Sequence, residues 1–179
     1  QRMISLEDRL LASQERLEHL ATYDGITGLL NRQALLDRTE GEVYRAVRNG
    51  TPMGVVMVDV DRFKSVNDEH GHVQGDEVLR QVANALSENV RPYDLVGRWG
   101  GEEFLLVLPG TSLEEARQVA ERVREGVAKA RIETPSGTRL QIQISAGVAS
   151  SLPVNMDTLL LEADQALLVA KRSGRNQVQ

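Results

Sequence analysis

Residues 53–60 read MGVVMVDV, a nearly continuous run of apolar residues that is rich in β-branched side chains. Such a run is typical of a strand that is buried on both faces. The acidic residues Asp59 and Asp61 stand at its far end. We therefore predict a central strand that delivers carboxylates to one edge of a sheet, which is where open sheets usually bind ligands.

Helices and further strands are predicted on both sides of this strand. Asn31 is a good N-cap for a helix that runs to about Asn49, and Gly50 ends it. Gly100-Gly101 is suited to the positive φ angles of a tight hairpin turn. The other predicted elements are helices at 76–89, 113–130 and 157–171 and strands at 95–99, 104–108 and 140–149. This order predicts an α+β fold, an α/β sandwich whose mixed, mainly antiparallel central sheet is flanked by helices.

Residues 1–22 are expected to form an N-terminal linker helix, and residues 23–179 one globular domain. From Met3 onward, apolar residues follow alternating spacings of three and four, with Ser13 in the remaining heptad position; they are Leu6, Leu10, Leu17 and Leu20. This spacing is typical of the seam of a coiled coil, a helix that pairs with a partner helix. The alternative is an amphipathic helix that packs on its own domain.

Composition excludes several classes of protein. The chain of 179 residues is long enough for one well-buried core. It has no cysteine, so any metal must bind through oxygen or histidine. The formal net charge of −5 argues against a general nucleic-acid binder. Because the chain starts at Gln1 without an initiator methionine, we expect a piece of a longer protein.

Acidic residues also follow the predicted hairpin turn. Side chains alternate along a strand, so of Glu102 and Glu103 one is expected to face Asp59 and the other solvent or a partner. Carboxylates that converge in this way suit Mg²⁺ held together with substrate phosphates. For Asp59 the alternative is a turn stabilised by Asp side chains. A calcium loop is excluded because its sixth position is Lys64 instead of Gly and its twelfth is His70 instead of Glu.

Five ordered motifs resemble those of the GGDEF family of diguanylate cyclases. Residues 100–104 read GGEEF, which looks like the family signature. The other four motifs are DGITGLLNR at 24–32, DVDRFKSVN at 59–67, HGHVQGD at 70–76 and ADQALLVAKRSGRN at 163–176. The resemblance covers about residues 23 to 176, and five motifs in order make chance agreement very unlikely. Leu168 stands where the family commonly has Tyr, and Leu30 where it often has Pro, which concerns local packing only.

The resemblance implies an enzyme that condenses two GTP molecules into cyclic di-GMP and two pyrophosphates across a homodimer. It implies two Mg²⁺ or Mn²⁺ ions per active site, held by Asp59, the backbone carbonyl of Val60, Glu102 and Glu103. Glu102 is the candidate for activating the 3′-hydroxyl, and Lys64 is expected to neutralise phosphate charge during catalysis. How the two glutamates divide the work stays open.

The resemblance also implies how substrate is bound. Backbone N–H groups around Arg62, Phe63 and Lys64 would cradle the phosphates as a helix start does. Asn67 and Asp76 would read the guanine edge, with His72 nearby, and such hydrogen-bonded pockets reject the wrong base. The remaining expected substrate-binding residues are Arg98, Gly100, Gly101, Lys171 and Arg175.

Two cationic groups have alternative interpretations. Lys171 and Arg175 stand four apart on the predicted last helix, so they would share a face that grips the outer phosphates. The alternative is a cationic C-terminus that complements the helix dipole. Arg91 and Asp94, with Arg122 on the next predicted helix, resemble the family's product-inhibition site. Here the alternative is an ordinary surface ion pair.

Three rival functions remain: a catalytically silent receptor for GTP or cyclic di-GMP, a cyclase that makes a 3′,5′-cyclic mononucleotide, and a dimeric scaffold. The acids Asp59, Glu102 and Glu103 are all present, which favours the diguanylate cyclase. We expect GTP as substrate, cyclic di-GMP as product and inhibitor, and no nucleic-acid partner. We also expect a cytoplasmic output domain of a larger bacterial signalling protein, with membrane attachment only through the upstream region.

Overall fold

The computed structural model of the chain describes residues 6–179, so Met3 of the heptad pattern lies outside the described residues. Its helices are α1 (Leu6–Thr22), α2 (Arg32–Asn49), α3 (Phe63–His70), α4 (His72–Glu88), α5 (Leu113–Lys129) and α6 (Met156–Arg172). Its strands are β1 (Met53–Val60), β2 (Leu95–Arg98), β3 (Glu103–Pro109), β4 (Ile132–Glu133), β5 (Arg139–Leu140) and β6 (Ile144–Ser151). Within this part of the chain, no helix has both the length and the apolar character that crossing a membrane requires.

The central sheet has four strands in the order β2-β3-β1-β6, and each neighbouring pair is antiparallel. A separate small ladder joins β4 and β5. Parallel pairing in residues 6–179 is limited to isolated bridges, Leu30 with Gly97 and Ala146 with Val178. The predicted α+β class and the buried central strand are confirmed.

Strand β1 is buried along its whole length and separates two apolar cores. Its even-numbered residues Val56, Val58 and Val60 face the core that α4 and α5 complete. Its odd-numbered residues Met53, Val55 and Met57 face the core that α2 and α6 complete. Because side chains alternate along a strand, Asp59 continues the odd-numbered face and is directed toward the α6 layer.

Helix α2 begins and ends as its sequence predicts. The side chain of Asn31 accepts a hydrogen bond from the Ala34 N–H at 2.9 Å, which is the expected N-cap. Gly50 ends the helix in a left-handed conformation with φ of 61°. Helix α5 begins with a complete capping box between Ser112 and Glu115.

Three elements differ from the predictions. Helix α4 begins at His72 instead of Asp76, because its first turn is buried through Gln74 and Gly75. The predicted strand at 140–149 is divided, since Arg139–Leu140 pairs with Ile132–Glu133 and only residues 144–151 join the main sheet.

The turn between β2 and β3 is the third difference. Neither Gly100 nor Gly101 has a positive φ angle, so the expected tight turn is wrong. A four-residue connection, 99–102, replaces it, and the N–H of Trp99 donates to the carbonyl of Glu103 at 2.8 Å.

The leucines of α1 point away from the domain. Leu6, Leu10, Leu17 and Leu20 are between 53% and 81% exposed. The alternative of a helix packed on its own domain is therefore wrong for this face. The helix is fixed at its end, where the Asn31 side chain donates to the carbonyl of Ala21 at 2.9 Å. The boundary between residues 22 and 23 stays a prediction.

Candidate active site

The carboxyl end of β1 gathers polar side chains on the α6 side of the sheet. Asp59 is 5% exposed and stands in register with Glu103 of β3 and Ser145 of β6. Directly opposite residues on antiparallel strands share a face, so these three side chains start from one side of the sheet. Register thus brings Asp59 and Glu103 together, as alternation along the strand predicted for one of the two glutamates.

Glu102 directly precedes β3, and a hydrogen bond to its backbone carbonyl fixes it beside β1. Its carbonyl accepts a hydrogen bond from the N–H of Val60 at 3.1 Å, one residue beyond Asp59. The charges of both Glu102 and Glu103 act on Asp59. The double glycine therefore leads directly into the carboxylates at the end of β1.

Helix α6 brings a cation to this group. The Nζ of Lys171 donates to Oδ2 of Asp59 at 3.0 Å, whereas the sequence predicted a contact with outer phosphates. The close approach depends on Gly147 of β6, because a Cβ there would lie 2.0 Å from the carbonyl oxygen of Ala163 and 2.2 Å from the N of Leu167. Glycine at this position thus sets how closely α6 lies on the sheet.

The site carries an excess of negative charge. Burial is the largest influence on the pKa of Asp59 and raises it, the hydrogen bond and charge of Lys171 lower it, and the charges of Glu102 and Glu103 raise it again. The net result is a pKa above the ordinary value for an aspartate. A divalent cation would relieve this repulsion, and every donor here is a hard oxygen, as Mg²⁺ prefers.

The side chains do not form a complete metal cage. Among residues 6–179, no group of three histidine, cysteine or acidic side chains is arranged to hold a metal ion. Backbone carbonyls and substrate oxygens would have to complete the coordination, which is the usual situation for Mg²⁺ at nucleotide sites. The donor set therefore fits a metal that arrives with phosphates.

The segment after β1 forms a helix start without a side-chain cap. Arg62 precedes α3 in a left-handed conformation, with φ of 56° and ψ of 31°. No side chain caps α3 there, so its first N–H groups are available to an anion. Lys64 stands in the same turn and is exposed, whereas Phe63 is buried in the core.

Asn67 of α3 directs its side chain toward α4 and carries an unpaired acceptor. Its Oδ1 is buried and has no hydrogen-bond partner. It lies against Gly75, where a Cβ would come within 1.9 Å of that oxygen. Asp76 follows on α4 and is half-buried, and His72 at the helix start is exposed. A buried acceptor without a partner is unusual in a protein.

Arg98 has a different environment from the one the sequence predicted. It forms an ion pair with Asp24, with Nη1 at 3.1 and 3.2 Å from the two carboxylate oxygens. Its Nε and Nη2 donate to the carbonyls of Gly100 and Gly101 at 2.7 to 3.1 Å. These donors are committed to the protein, so Arg98 supports the loop before Glu102, and its contact with substrate stays a prediction.

Asp24 is thus part of the site's support, which sequence reasoning missed. Burial would raise its pKa, but hydrogen bonds from the backbone and hydroxyl of Thr27 and the charge of Arg98 outweigh burial and hold the pKa below its ordinary value. The signal was present, since Asp24 opens one of the five motifs, but nothing in the sequence paired it with Arg98.

Arg175 does not lie on α6, because the helix ends at Arg172. Gly174 leaves the helix with φ of 116°, and Arg175 and Asn176 follow with positive φ angles of 65° and 46°. The prediction that Lys171 and Arg175 share a helix face is therefore wrong. Arg175 instead lines a cleft of about 340 Å³ together with Asp61 and Arg62.

The residues expected to bind product lie apart from this site, after α4. Asp94 accepts a hydrogen bond from the backbone N–H of Arg91 at 2.8 Å through one oxygen, and its other oxygen is buried and unpaired. Burial raises the pKa of Asp94 above its ordinary value, although Arg91 and Arg122 act against it. Arg122 donates to the carbonyl of Asn89 at 2.6 and 2.9 Å.

Comparisons with known proteins agree with this geometry. A family model described as "Diguanylate cyclase, GGDEF domain" matches residues 21–177. Diguanylate cyclase DosC of Escherichia coli K12 is 41% identical over 168 residues, which are 93% of this chain and 36% of DosC. Response regulator PleD of Caulobacter vibrioides is 40% identical over 171 residues, 92% of this chain and 38% of PleD. The chain thus spans little more than a third of these relatives.

Among solved structures, the coiled coil and GGDEF domain of DgcB from Caulobacter crescentus, in complex with c-di-GMP, superimposes with a TM-score of 0.88. It is 31% identical and the match covers 96% of this chain and 92% of that one.

Proposed function

The chain belongs to the GGDEF family of diguanylate cyclases, and from this premise we propose that it condenses two GTP molecules into cyclic di-GMP and two pyrophosphates. The observation that carries the proposal is the register of Asp59 with Glu103, beside the backbone contact between Val60 and Glu102. Asp59 and Glu103 thus stand opposite each other at the end of a buried strand, Glu102 adjoins them, and a helix start without a side-chain cap follows, which supports a metal and phosphate site here. Because the chain covers only part of its relatives, the function of the whole protein is part of the same proposal.

The proposed metal ligands are Asp59, the carbonyl of Val60, Glu102 and Glu103. When bound, two divalent ions would neutralise phosphate charge and orient the attacking and leaving oxygens. The oxygen-only donors and the raised pKa of Asp59 support this assignment, since the acidic side chains at the site outnumber the lysine beside Asp59. Lys171, already at Asp59, supplies part of the opposing positive charge.

The protein's own groups would hold and orient the triphosphate. N–H groups at the start of α3 and the exposed Lys64 would bind its oxygens, and Arg175 would reach them across the cleft that it shares with Arg62. Glu102 would take the proton of the 3′-hydroxyl as that oxygen attacks the α-phosphorus of the second GTP. Pyrophosphate leaves, and repetition of the step with the roles exchanged closes the ring.

Guanine would be recognised between α3 and α4. The carboxylate of Asp76 can accept from the two adjacent N–H groups on the guanine edge, and Asn67 offers an amide whose Oδ1 has no partner in the protein. Adenine would leave these groups unpaired in a buried position. We expect a preference for GTP over ATP of about 10⁴ at such a hydrogen-bonding site.

The reaction needs two GTP molecules facing each other, so we propose a homodimer. Each subunit presents one site, and a twofold axis would place the two sites opposite each other. The exposed leucines of α1 support a parallel pair of helices, in which Leu10 and Leu17 would lie in the seam. Sedimentation of the wild-type protein and of Leu10→Glu/Leu17→Glu tests this, and a variant that remains dimeric and active would contradict it.

Product inhibition through Arg91, Asp94 and Arg122 is also proposed. The buried, unpaired oxygen of Asp94 is an acceptor that a guanine edge could satisfy, and the exposed Arg91 is placed to take a phosphate. Arg91→Ala should relieve the slowing of turnover by added cyclic di-GMP. Equal inhibition in that variant would place the inhibitory site elsewhere.

One assay separates the proposed activity from its rivals. The protein is incubated with GTP and Mg²⁺. The nucleotide product is identified by its mass, and the pyrophosphate released from GTP is measured in the same reaction. Cyclic di-GMP is expected. A 3′,5′-cyclic mononucleotide would support the mononucleotide cyclase, whereas tight nucleotide binding by a dimer that does not turn over would support a receptor.

A further inference from the structure

A second aspartate at the end of β1 is buried without an ion pair. Asp61 is 8% exposed, and none of the salt bridges found in residues 6–179 involves it. Its two oxygens instead accept from two neutral donors. The hydroxyl of Ser145, which is fully buried, donates to Oδ1 at 2.7 Å, and the backbone N–H of Asn176 donates to Oδ2 at 2.9 Å.

These two bonds join three separate parts of the chain. Asp61 lies between the end of β1 and the start of α3, Ser145 belongs to β6, and Asn176 lies in the segment after α6. The proposed phosphate-binding groups come from two of these parts, the start of α3 and Arg175. We call the set of Asp61, Ser145 and Asn176 the aspartate latch.

The segment held by the latch has an unfavourable backbone. Both Arg175 and Asn176 have positive φ angles, 65° and 46°, which L side chains rarely adopt. Such a conformation persists only where its surroundings hold it. One side of the segment is fixed to α6 by the bond from the Arg175 N–H to the carbonyl of Ala170 at 3.0 Å, a Schellman-type helix ending.

The other side of the segment is fixed to β6 and α5. The N–H of Ala146 donates to the carbonyl of Gln177 at 3.0 Å, and Arg124 donates to the side chain of Asn176 at 3.1 Å. Only Asn176 separates the anchored residues Arg175 and Gln177. The hydrogen bond from the Asn176 N–H to Asp61 therefore sets the backbone direction immediately after Arg175. The side chain of Arg175 is exposed and lines the cleft beside Asp61 and Arg62.

We propose that the aspartate latch positions Arg175 toward the outer phosphates of GTP, so that Asp61, Ser145 and Asn176 are positioning residues for substrate binding. This rests on the proposed function. The latch acts through the backbone of Arg175 and touches neither the base nor the reacting atoms. Its loss should therefore weaken binding of the triphosphate and leave contacts with guanine unchanged.

The test uses Ser145→Ala, which removes one latch hydrogen bond and little volume. Its matched control is Ser150→Ala on the same strand, where the hydroxyl donates to the carbonyl of Thr111 at 2.9 Å, at the far end of β6. Both variants lose one hydroxyl bond, but Ser145 donates to a buried carboxylate and Ser150 to a backbone carbonyl, so Ser145→Ala should lower the melting temperature more. Only Ser145→Ala should affect the nucleotide.

Calorimetry with Mg²⁺ measures binding of a non-hydrolysable GTP analogue and of GMP, which lacks the outer phosphates. Ser145→Ala should weaken binding of the analogue about fivefold, because Arg175 would be held less firmly toward the outer phosphates. It should leave GMP binding unchanged and raise KM for GTP with kcat within about twofold. Ser150→Ala should match the wild-type protein in all three measurements.

A double-mutant cycle decides whether Ser145 acts on nucleotide binding through Arg175. In an Arg175→Ala background, Ser145→Ala should have no further effect on analogue binding, because the latch would have nothing left to position. Additive losses, or an equal loss of GMP binding, would overturn the proposal. If Ser145→Ala does not fold, Asp61→Asn replaces it, since the amide keeps the volume but offers only one acceptor for two donors.

Failure of the latch and failure of the proposed function are distinguishable. A wild-type protein that binds neither nucleotide contradicts the proposed function, and the latch with it. A wild-type protein that makes cyclic di-GMP while Ser145→Ala behaves as Ser150→Ala contradicts the latch alone.

Discussion

Lys171 and Asp59 meet at 3.0 Å across the interface between α6 and β1. The aspartate is buried and the lysine only partly so, with side-chain exposures of 7% and 34%. Asp59 carries its negative charge beside Glu102 and Glu103, and Lys171 opposes that repulsion. The pair therefore links the fold's stability to the same charges that the reaction would use.

Replacing Lys171 with Met should make stability more sensitive to pH. The pKa of Asp59 lies above the ordinary 3.8, so between the two values the folded state holds a proton that the unfolded state has lost. The contribution of Asp59 to stability therefore falls as pH rises through this window. Without Lys171 the pKa of Asp59 rises further and the window widens.

Urea unfolding of wild type and Lys171→Met from pH 4 to pH 8 measures this effect. The loss of stability with rising pH should be larger in the variant. When Asp59 is replaced by Asn, the difference in unfolding free energy between the proteins with Lys171 and with Lys171→Met should no longer depend on pH. Parallel stability curves for wild type and Lys171→Met would show that the lysine does not control Asp59.

Replacing Asp24 with Asn should have the opposite pH dependence. The folded pKa of Asp24 is below the ordinary 3.8, so its contribution to stability is present above that value and is lost as pH falls through the folded pKa. At pH 6 we expect Asp24→Asn to cost about 1.5 to 3 kcal/mol, the usual range for hydrogen bonds to a charged group. At pH 2.5 the difference from wild type should be much smaller.

Chemical denaturation at the two pH values checks this prediction. Asp37→Asn on the exposed face of α2, where the aspartate accepts only from Gln33, serves as the control and should change stability little at either pH. An Asp24→Asn variant that is equally destabilised at both pH values would mean that charge does not explain the pair with Arg98.

The sequence was sufficient for those parts of the fold that local patterns determine. The apolar run 53–60 predicted a buried central strand, and Asn31 and Gly50 predicted both ends of α2. Such signals lie within one element, so tertiary contacts are not needed to interpret them. The resemblance to a family added the expected site residues, which no periodicity identifies.

Contacts between distant segments were not predictable in this way. The pairs Arg98 with Asp24 and Ser145 with Asp61 join residues 74 and 84 positions apart. Helical spacing suggested a shared face for Lys171 and Arg175, but Gly174 ends the helix between them. The residue types of Gly100 and Gly101 alone predicted positive φ angles. Neither glycine has one, and Arg98 donates hydrogen bonds to both of their carbonyls.

Asn67→Ala should weaken nucleotide binding without loss of stability. The buried Oδ1 of Asn67 has no partner in the protein, so removing it eliminates an unsatisfied polar group. We expect a melting temperature equal to or above that of wild type. Binding of GMP should weaken by about tenfold or more, since the guanine edge loses a polar contact.

Calorimetry and thermal unfolding test both parts together. The control is Asn84→Ala on the exposed face of α4, which should leave GMP binding unchanged. A loss of stability in Asn67→Ala as large as its loss of binding would indicate that the amide supports the fold instead of the ligand.

Variants of Glu102 and Glu103 should differ in how their turnover depends on Mg²⁺ concentration. Glu103 stands in register with Asp59 on one face of the sheet, so its side chain belongs with the metal ligands. Glu102 lies before β3, and its carbonyl is fixed by the N–H of Val60, which leaves its side chain as the candidate base for the 3′-hydroxyl. Glu102→Gln should lower kcat by about 10² to 10⁴ at saturating Mg²⁺, the usual contribution of a general base. Glu103→Gln should chiefly raise the Mg²⁺ concentration needed for half-maximal turnover.

Stability separates these effects from damage to the fold. Both glutamates raise the pKa of Asp59 through repulsion, so neutralising either one should lower that pKa and leave the protein at least as stable near neutral pH. Titration of turnover with Mg²⁺, with urea unfolding of the same samples, provides both readouts. If Glu103→Gln lost kcat at saturating metal while Glu102→Gln only needed more Mg²⁺, the two roles would be exchanged. Glu103, which stands in register with Asp59, would then be the residue that takes the proton.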